Sequence, residues 1–159
     1  MKPTPAATQS GASWARFAVP AAWMLAIYLA SDQPKLPAPE GVPGFDKIAH
    51  FGAYGLLATL WVRALSARLS PGRAAFFAWS IAALFGVTDE FHQSFVPGRS
   101  TELADWLADS GGAALAVLLY TFWPAYRGLL DRPIAGRRGA SPAGTTAAVV
   151  APVATERHS

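Results

Sequence analysis

The chain has 159 residues, a length that suits one domain, with 52% hydrophobic residues, 14% charged residues and no cysteine. The missing cysteine excludes a disulfide framework, a thiolate metal site and a cysteine nucleophile. The net charge of +3 does not point to nucleic acid, because the arginines sit in loops beside apolar segments, where membrane topology accounts for them.

Residues 1–13 are small and polar and are expected to be disordered. The first apolar run, residues 17–30, reaches back to Trp14 if Arg16 snorkels. That gives a first span over about 14–31, with Trp14 and Tyr28 at its two interfaces. Pro20 is expected in its first turn, where a missing N–H does no harm. An uncleaved signal-anchor fits better than a cleaved signal peptide, since three more spans follow. Pro34, Pro37, Pro39 and Pro43 make residues 31–45 a loop. The second span covers about 46–65.

The third span, about 71–94, opens with Ser70 as N-cap and Pro71 at the first helical position. Its apolar part, residues 74–87, is short. Continuing it through Asp89, Glu90, His92 and Gln93 gives a rod of roughly 36 Å at ~1.5 Å per residue, enough to cross a bilayer. Val96-Pro97-Gly98-Arg99 reads as a tight turn, so the third and fourth spans are antiparallel neighbours. The fourth span covers about 101–123, with Ser100 as its cap and Pro124 as its stop. Residues 127–159 are Gly, Pro, Ala and Arg without a usable period, a disordered basic tail. The expected fold is all-α, an integral membrane four-helix bundle over residues 14–126.

Lysine and arginine favour the cytoplasmic side. With the N-terminus inside, all of the thirteen except Lys35, Lys47 and Arg99 fall inside, so both termini are expected to be cytoplasmic. The acids distribute the other way: of the ten, all but Asp131 and Glu156 fall outside. Acids weigh little in the topology rule, so their clustering needs another cause.

Asp46, His50 and Tyr54 are spaced i, i+4, i+8 and share one face of the second span. Asp89 shares a face with His92 and Gln93, and Asp105 shares one with Asp109. Helical rise puts His50, Asp89, Asp105 and Asp109 in one slab near the outer ends of three spans. Ionisable groups at such depth face the bundle interior and mark a functional site by default. Each also has a plainer role: Asp46 as a cap, His50 as an interior hydrogen-bonder, Glu102 as a dipole partner, Lys47 as an interfacial cation and Arg99 as a partner of Asp105 or another acid. Glu90, off the Asp89 face, points either to headgroups or to a neighbouring helix. Gly52, Gly55, Gly111 and Gly112 suit close helix approach.

Together these residues are competent for three roles. Asp46, His50, Asp89 and His92 are candidate ligands of a divalent metal. His50, Asp89, Glu90 and His92 are candidate acid–base residues, with Arg99 holding a phosphate or carboxylate. The same pocket, completed by Tyr54, Gln93, Asp105 and Asp109, also suits a lipid or drug headgroup bound without chemistry.

Asp46-Lys47-Ile48-Ala49-His50-Phe51-Gly52-Ala53-Tyr54 resembles the DKxxHFxxY opening of the VanZ-like family. The run from Thr88 through Asp89, Glu90, His92, Gln93, Pro97 and Gly98 to Ser100 resembles its second block, and Asp105 followed by Gly112 its closing block. Asp109 stands where the family usually has asparagine, which makes the inner part of the pocket ionisable. The resemblance implies a multi-pass protein of the bacterial cell (inner) membrane, in a family named for tolerance of the glycopeptide teicoplanin. The leading expectation is a pocket for an envelope lipid or lipid-linked precursor, with no nucleic-acid partner. The alternatives are a metal- or His/carboxylate-dependent hydrolase or transferase on a phosphate- or acyl-containing lipid, and a structural bundle whose buried polar network specifies helix pairing.

Overall fold

The computed structural model describes residues 11–34 and 44–131, with side chains from Trp14. Most of the proline-rich connection, residues 1–10 and the tail from residue 132 lie outside the described residues. The fold is all-α, with no strand among the described residues: α1 (Gly11–Ser31), α2 (Phe45–Ser66), α3 (Pro71–Gln93), α4 (Leu103–Phe122) and the short α5 (Pro124–Leu130). Three helices are long and apolar enough to cross a membrane by themselves; α4 passes together with α5, from which it is bent by 98°.

The distribution of side chains suits an apolar solvent. Leu84, Phe91, Leu103 and Phe122 are all more than half exposed on the outside of the bundle, while Asp89, Glu90, Asp105 and Asp109 are buried inside it. Lipid offers no hydrophobic drive for helix association, so close packing and interhelical hydrogen bonds must supply it. The α3 face turned inward is small and periodic, with Ala74, Ala78 and Ala82 fully buried. The tightest contact joins α2 and α4. A β-carbon on Gly112 would collide with the main-chain carbonyl of Phe51, and one on Gly55 would meet the Gly112 carbonyl at 3.3 Å. Gly52, by contrast, faces open space, and Gly111 meets only the Phe51 ring at 3.8 Å.

Tryptophans tie the helices sideways. Trp106 Nε1 on α4 donates to Ala83 O on α3 at 3.1 Å, and Trp79 Nε1 on α3 donates back to Ser110 O at 3.2 Å. Trp23 Nε1 ties α1 to Ala53 O of α2 at 3.0 Å. An indole N–H left unpaired in a bilayer is costly, so a carbonyl on the next helix both satisfies it and sets the helix register.

Three local expectations need correcting. Pro20 lies in the interior of α1 because the helix begins at Gly11, before the apolar run does. The N-cap of α4 is Glu102, not Ser100, and its own N–H bonds to Glu90 Oε2 at 2.9 Å. Residues 127–130, read from composition as tail, belong to α5. Pro124 stops α4 but opens α5 at a first-turn position that needs no N–H donor. Asp131 then holds α5 against the bundle, accepting from Tyr120 Oη at 3.1 Å and Arg63 Nε at 3.3 Å.

Candidate functional site

One end of the bundle gathers the C-terminal ends of α1 and α3 and the N-terminal ends of α2 and α4. The polar residues sit there because helical spacing stacks them. On α2, the rings of His50 and Tyr54 lie parallel with centroids 6.4 Å apart. On α3, Gln93 Nε2 donates to Asp89 Oδ2 at 3.1 Å and reaches Ser31 Oγ of α1 at 3.4 Å. On α4, Asp105 and Asp109 stand one turn apart on the buried face. Val96-Pro97-Gly98-Arg99 reverses the chain between α3 and α4. Arg99 N–H closes onto Val96 O at 3.1 Å, and Gly98 takes the positive φ of 82° that a type II turn needs at its third position.

The groups sort into two clusters. In the first, Lys47 Nζ lies 2.9 Å from Glu102 Oε2, 3.0 Å from Asp105 Oδ1 and 3.4 Å from Asp46 Oδ2. One ammonium thus serves three carboxylates and ties α2 to the start of α4. The second cluster lies deeper. His50 Nδ1 is 2.9 Å from Asp109 Oδ1, and Glu90 joins them, the three residues placing one potential ligand atom each within 4.8 Å of one another. Asp109 is 0% exposed and Glu90 5%. One oxygen of each, Asp109 Oδ2 and Glu90 Oε1, is buried without a hydrogen-bond partner. Buried polar groups without partners are rare in folded proteins.

The expected metal set of Asp46, His50, Asp89 and His92 is not what the helices bring together. His92 turns to α1, with its ring centroid 4.4 Å from that of Tyr28 and its Nε2 3.3 Å from Asp32 Oδ1. Asp89 bonds Gln93, and Asp46 belongs to the lysine cluster. Arg99 does not take the role of partner to Asp105, which Lys47 fills. It donates from Nε to Gln33 O at 3.1 Å and from Nη2 to Ala30 O at 3.3 Å, so it caps the C-terminal end of α1. A cation there meets the negative end of the helix dipole.

Three contributors were not assigned to the site from the sequence. Lys47 and Glu102 are central to the first cluster. Gly86 on α3 makes room for the second, since a β-carbon there would stand 3.0 Å from Asp109 Oδ2. The adjacency of Lys47 to Asp46 was the available signal for the first. For Gly86 the sequence carries none beyond a glycine inside an apolar helix.

Three spaces adjoin the clusters. A polar cavity of about 10 Å³ lies among Asp46, His50, Arg99, Glu102 and Asp105, room for about one water. A second cavity of about 140 Å³ opens between α1, α2 and α3, with His50, Tyr54 and Asp89 on its walls. An apolar groove of about 530 Å³ runs between α3 and α4, walled by Val87, Phe91, Leu103 and Trp106 and bordered by Glu90 and Glu102.

A family model described as VanZ/LLP1 matches residues 5–124. No curated protein and no solved structure matches the chain.

Proposed function

The chain belongs to the VanZ/LLP1 family, and from that premise we propose that it is a multi-pass protein of the bacterial inner membrane whose polar end engages an envelope lipid or lipid-linked headgroup. One observation carries the reading. The apolar groove between α3 and α4 shares Glu90 and Glu102 with the buried polar clusters. An apolar trough that ends on carboxylates suits an amphipathic ligand, with a chain along Phe91, Leu103 and Trp106 and a polar head at Glu102, Lys47 and Arg99. The polar cavity itself has room for only about one water, so the head rests over its mouth rather than inside. In this reading the polar end faces outward, as the lysine and arginine bias favours.

The test uses the full chain extracted with its native lipid into nanodiscs. Mass spectrometry should find one lipid class enriched over bulk membrane, and Leu103→Trp, which narrows the groove, should remove the enrichment. A bound fraction identical to bulk lipid would refute the reading. Tolerance is a separate arm: expression in a teicoplanin-sensitive host should raise tolerance, and Leu103→Trp at equal abundance should remove the gain.

A second reading, a hydrolase or transferase acting on a phosphate- or acyl-containing lipid, is favoured by the His50–Asp109 pair, a base beside the carboxylate that orients it. His50→Ala that keeps the cellular phenotype at normal abundance would rule it out.

A further inference from the structure

We propose that His50, Glu90 and Asp109 form a site for one divalent first-row transition-metal cation, a role that stands apart from the lipid reading. Each residue comes from a different helix: α2, α3 and α4 respectively. Their potential ligand atoms lie within 4.8 Å of one another. Ligands about 2.1 Å from a metal stand about 3 Å apart in cis positions and about 4.2 Å apart in trans. The 2.9 Å from His50 Nδ1 to Asp109 Oδ1 matches the first spacing.

The charge balance points the same way. Glu90 and Asp109 are both more than nine-tenths buried, and each keeps an oxygen with no hydrogen-bond partner. Buried carboxylates carry charge only at a high cost unless they are paired, and a cation between Glu90 and Asp109 would supply that pairing. Asp46, Glu102 and Asp105 have metal-like spacing too. There, however, Lys47 Nζ already stands 2.9 to 3.4 Å from all three, and the cation's place is filled by the protein itself. Among the described residues, the deeper trio has no lysine or arginine hydrogen-bond or ion-pair partner; His50 is the basic member. The other oxygen of Glu90 is held by the N–H of Glu102, which orients the carboxylate as outer-shell partners orient metal ligands.

Donor chemistry narrows the ion. One imidazole and two carboxylates suit zinc, manganese or ferrous iron, whereas calcium and magnesium take oxygen alone and cuprous copper prefers sulfur. Three protein ligands leave a coordination position open.

The experiment takes the full chain in detergent, carrying an affinity tag without histidine. The protein is stripped with EDTA, desalted and titrated with zinc or manganese chloride. Calorimetry and elemental analysis should give about one equivalent per chain. Glu90→Gln and Asp109→Asn should each weaken binding at least about 100-fold, beyond the loss typical of an outer-shell change. Asp109→Asn is the sharper variant, because its amide keeps the shape and still accepts a hydrogen bond from His50. A packing role alone would therefore survive it. Asp131→Asn, at the opposite end of the bundle, should bind as the parent does. Absence of saturable binding, or unchanged affinity in both carboxamide variants, overturns the site. If those variants do not accumulate, the parent protein decides: saturable binding of about one cobalt per chain that zinc competes away supports the site, and no saturable binding overturns it.

Discussion

Gly112→Ala tests the contact on which the polar clusters depend. A β-carbon at Gly112 would stand 2.8 Å from Phe51 C and 2.9 Å from Phe51 Cα, with the carbonyl oxygen closer still. All three are main-chain atoms, so no side chain can swing away. Carbon atoms settle at about 3.5–4.0 Å, so α2 and α4 must part locally by roughly 0.7–1.2 Å. His50 precedes Phe51 on α2, and Asp109 lies one turn before Gly112 on α4. The same parting stretches their 2.9 Å contact to about 3.5 Å or more, where it ceases to be a hydrogen bond. Overpacking costs about 1–3 kcal/mol, and a buried carboxylate that loses its partner adds about 1–3 kcal/mol. Together they lower the melting temperature by on the order of 10 °C in a chain of this size. Gly52→Ala makes the same chemical change into open space and should gain up to about 1 kcal/mol from helix propensity. Circular dichroism melts of the detergent-solubilised variants give the comparison. If Gly112→Ala melts with Gly52→Ala, the backbone contact of α2 on α4 is not what the structure describes.

Lys47→Met removes the ammonium from Asp46, Glu102 and Asp105, of which Asp105 is the most buried. The loss should be about 1–2 kcal/mol, reduced from the fully buried case because Lys47 and Glu102 are each more than a third exposed. Adding Asp105→Asn should recover part of it in the same melts; no recovery would count against the pairing. At the opposite end, Tyr120→Phe and Asp131→Asn each loosen α5. Hydrogen exchange should quicken over residues 124–130 and stay unchanged in α2, and equal protection in both variants would remove Asp131 as the latch. For topology, a cytoplasmic reporter fused after Arg127 should be active and one in the loop of residues 31–45 inactive; the reverse would place the polar end inside.

The candidate site was legible where one helix determines it. Asp46, His50 and Tyr54 share a face by spacing alone, and the polar slab across three spans follows from helical rise. The Pro97-Gly98 pair announces the turn that brings α3 and α4 side by side. Partnership was less legible. Asp89 has His92 and Gln93 at equally good helical spacing, yet Gln93 bonds it while His92 turns toward Tyr28 and Asp32. The position of α1 makes that choice, and no spacing within α3 records it. Glu90 lies off the Asp89 face, and only the position of α4 turns it into a neighbour of His50 and Asp109.

By itself the sequence determined the four long helices, the depth of each polar group along them and the family, because residue order, period and rise give the first two and the motifs give the third. Only the tertiary structure decided that Lys47 neutralises one acidic cluster while His50, Glu90 and Asp109 form another, and that Arg99 caps α1 instead of pairing with Asp105. Helical periodicity gives a side chain its direction around its own axis. Which neighbour lies in that direction is set by how closely Gly55, Gly86 and Gly112 let the helices approach.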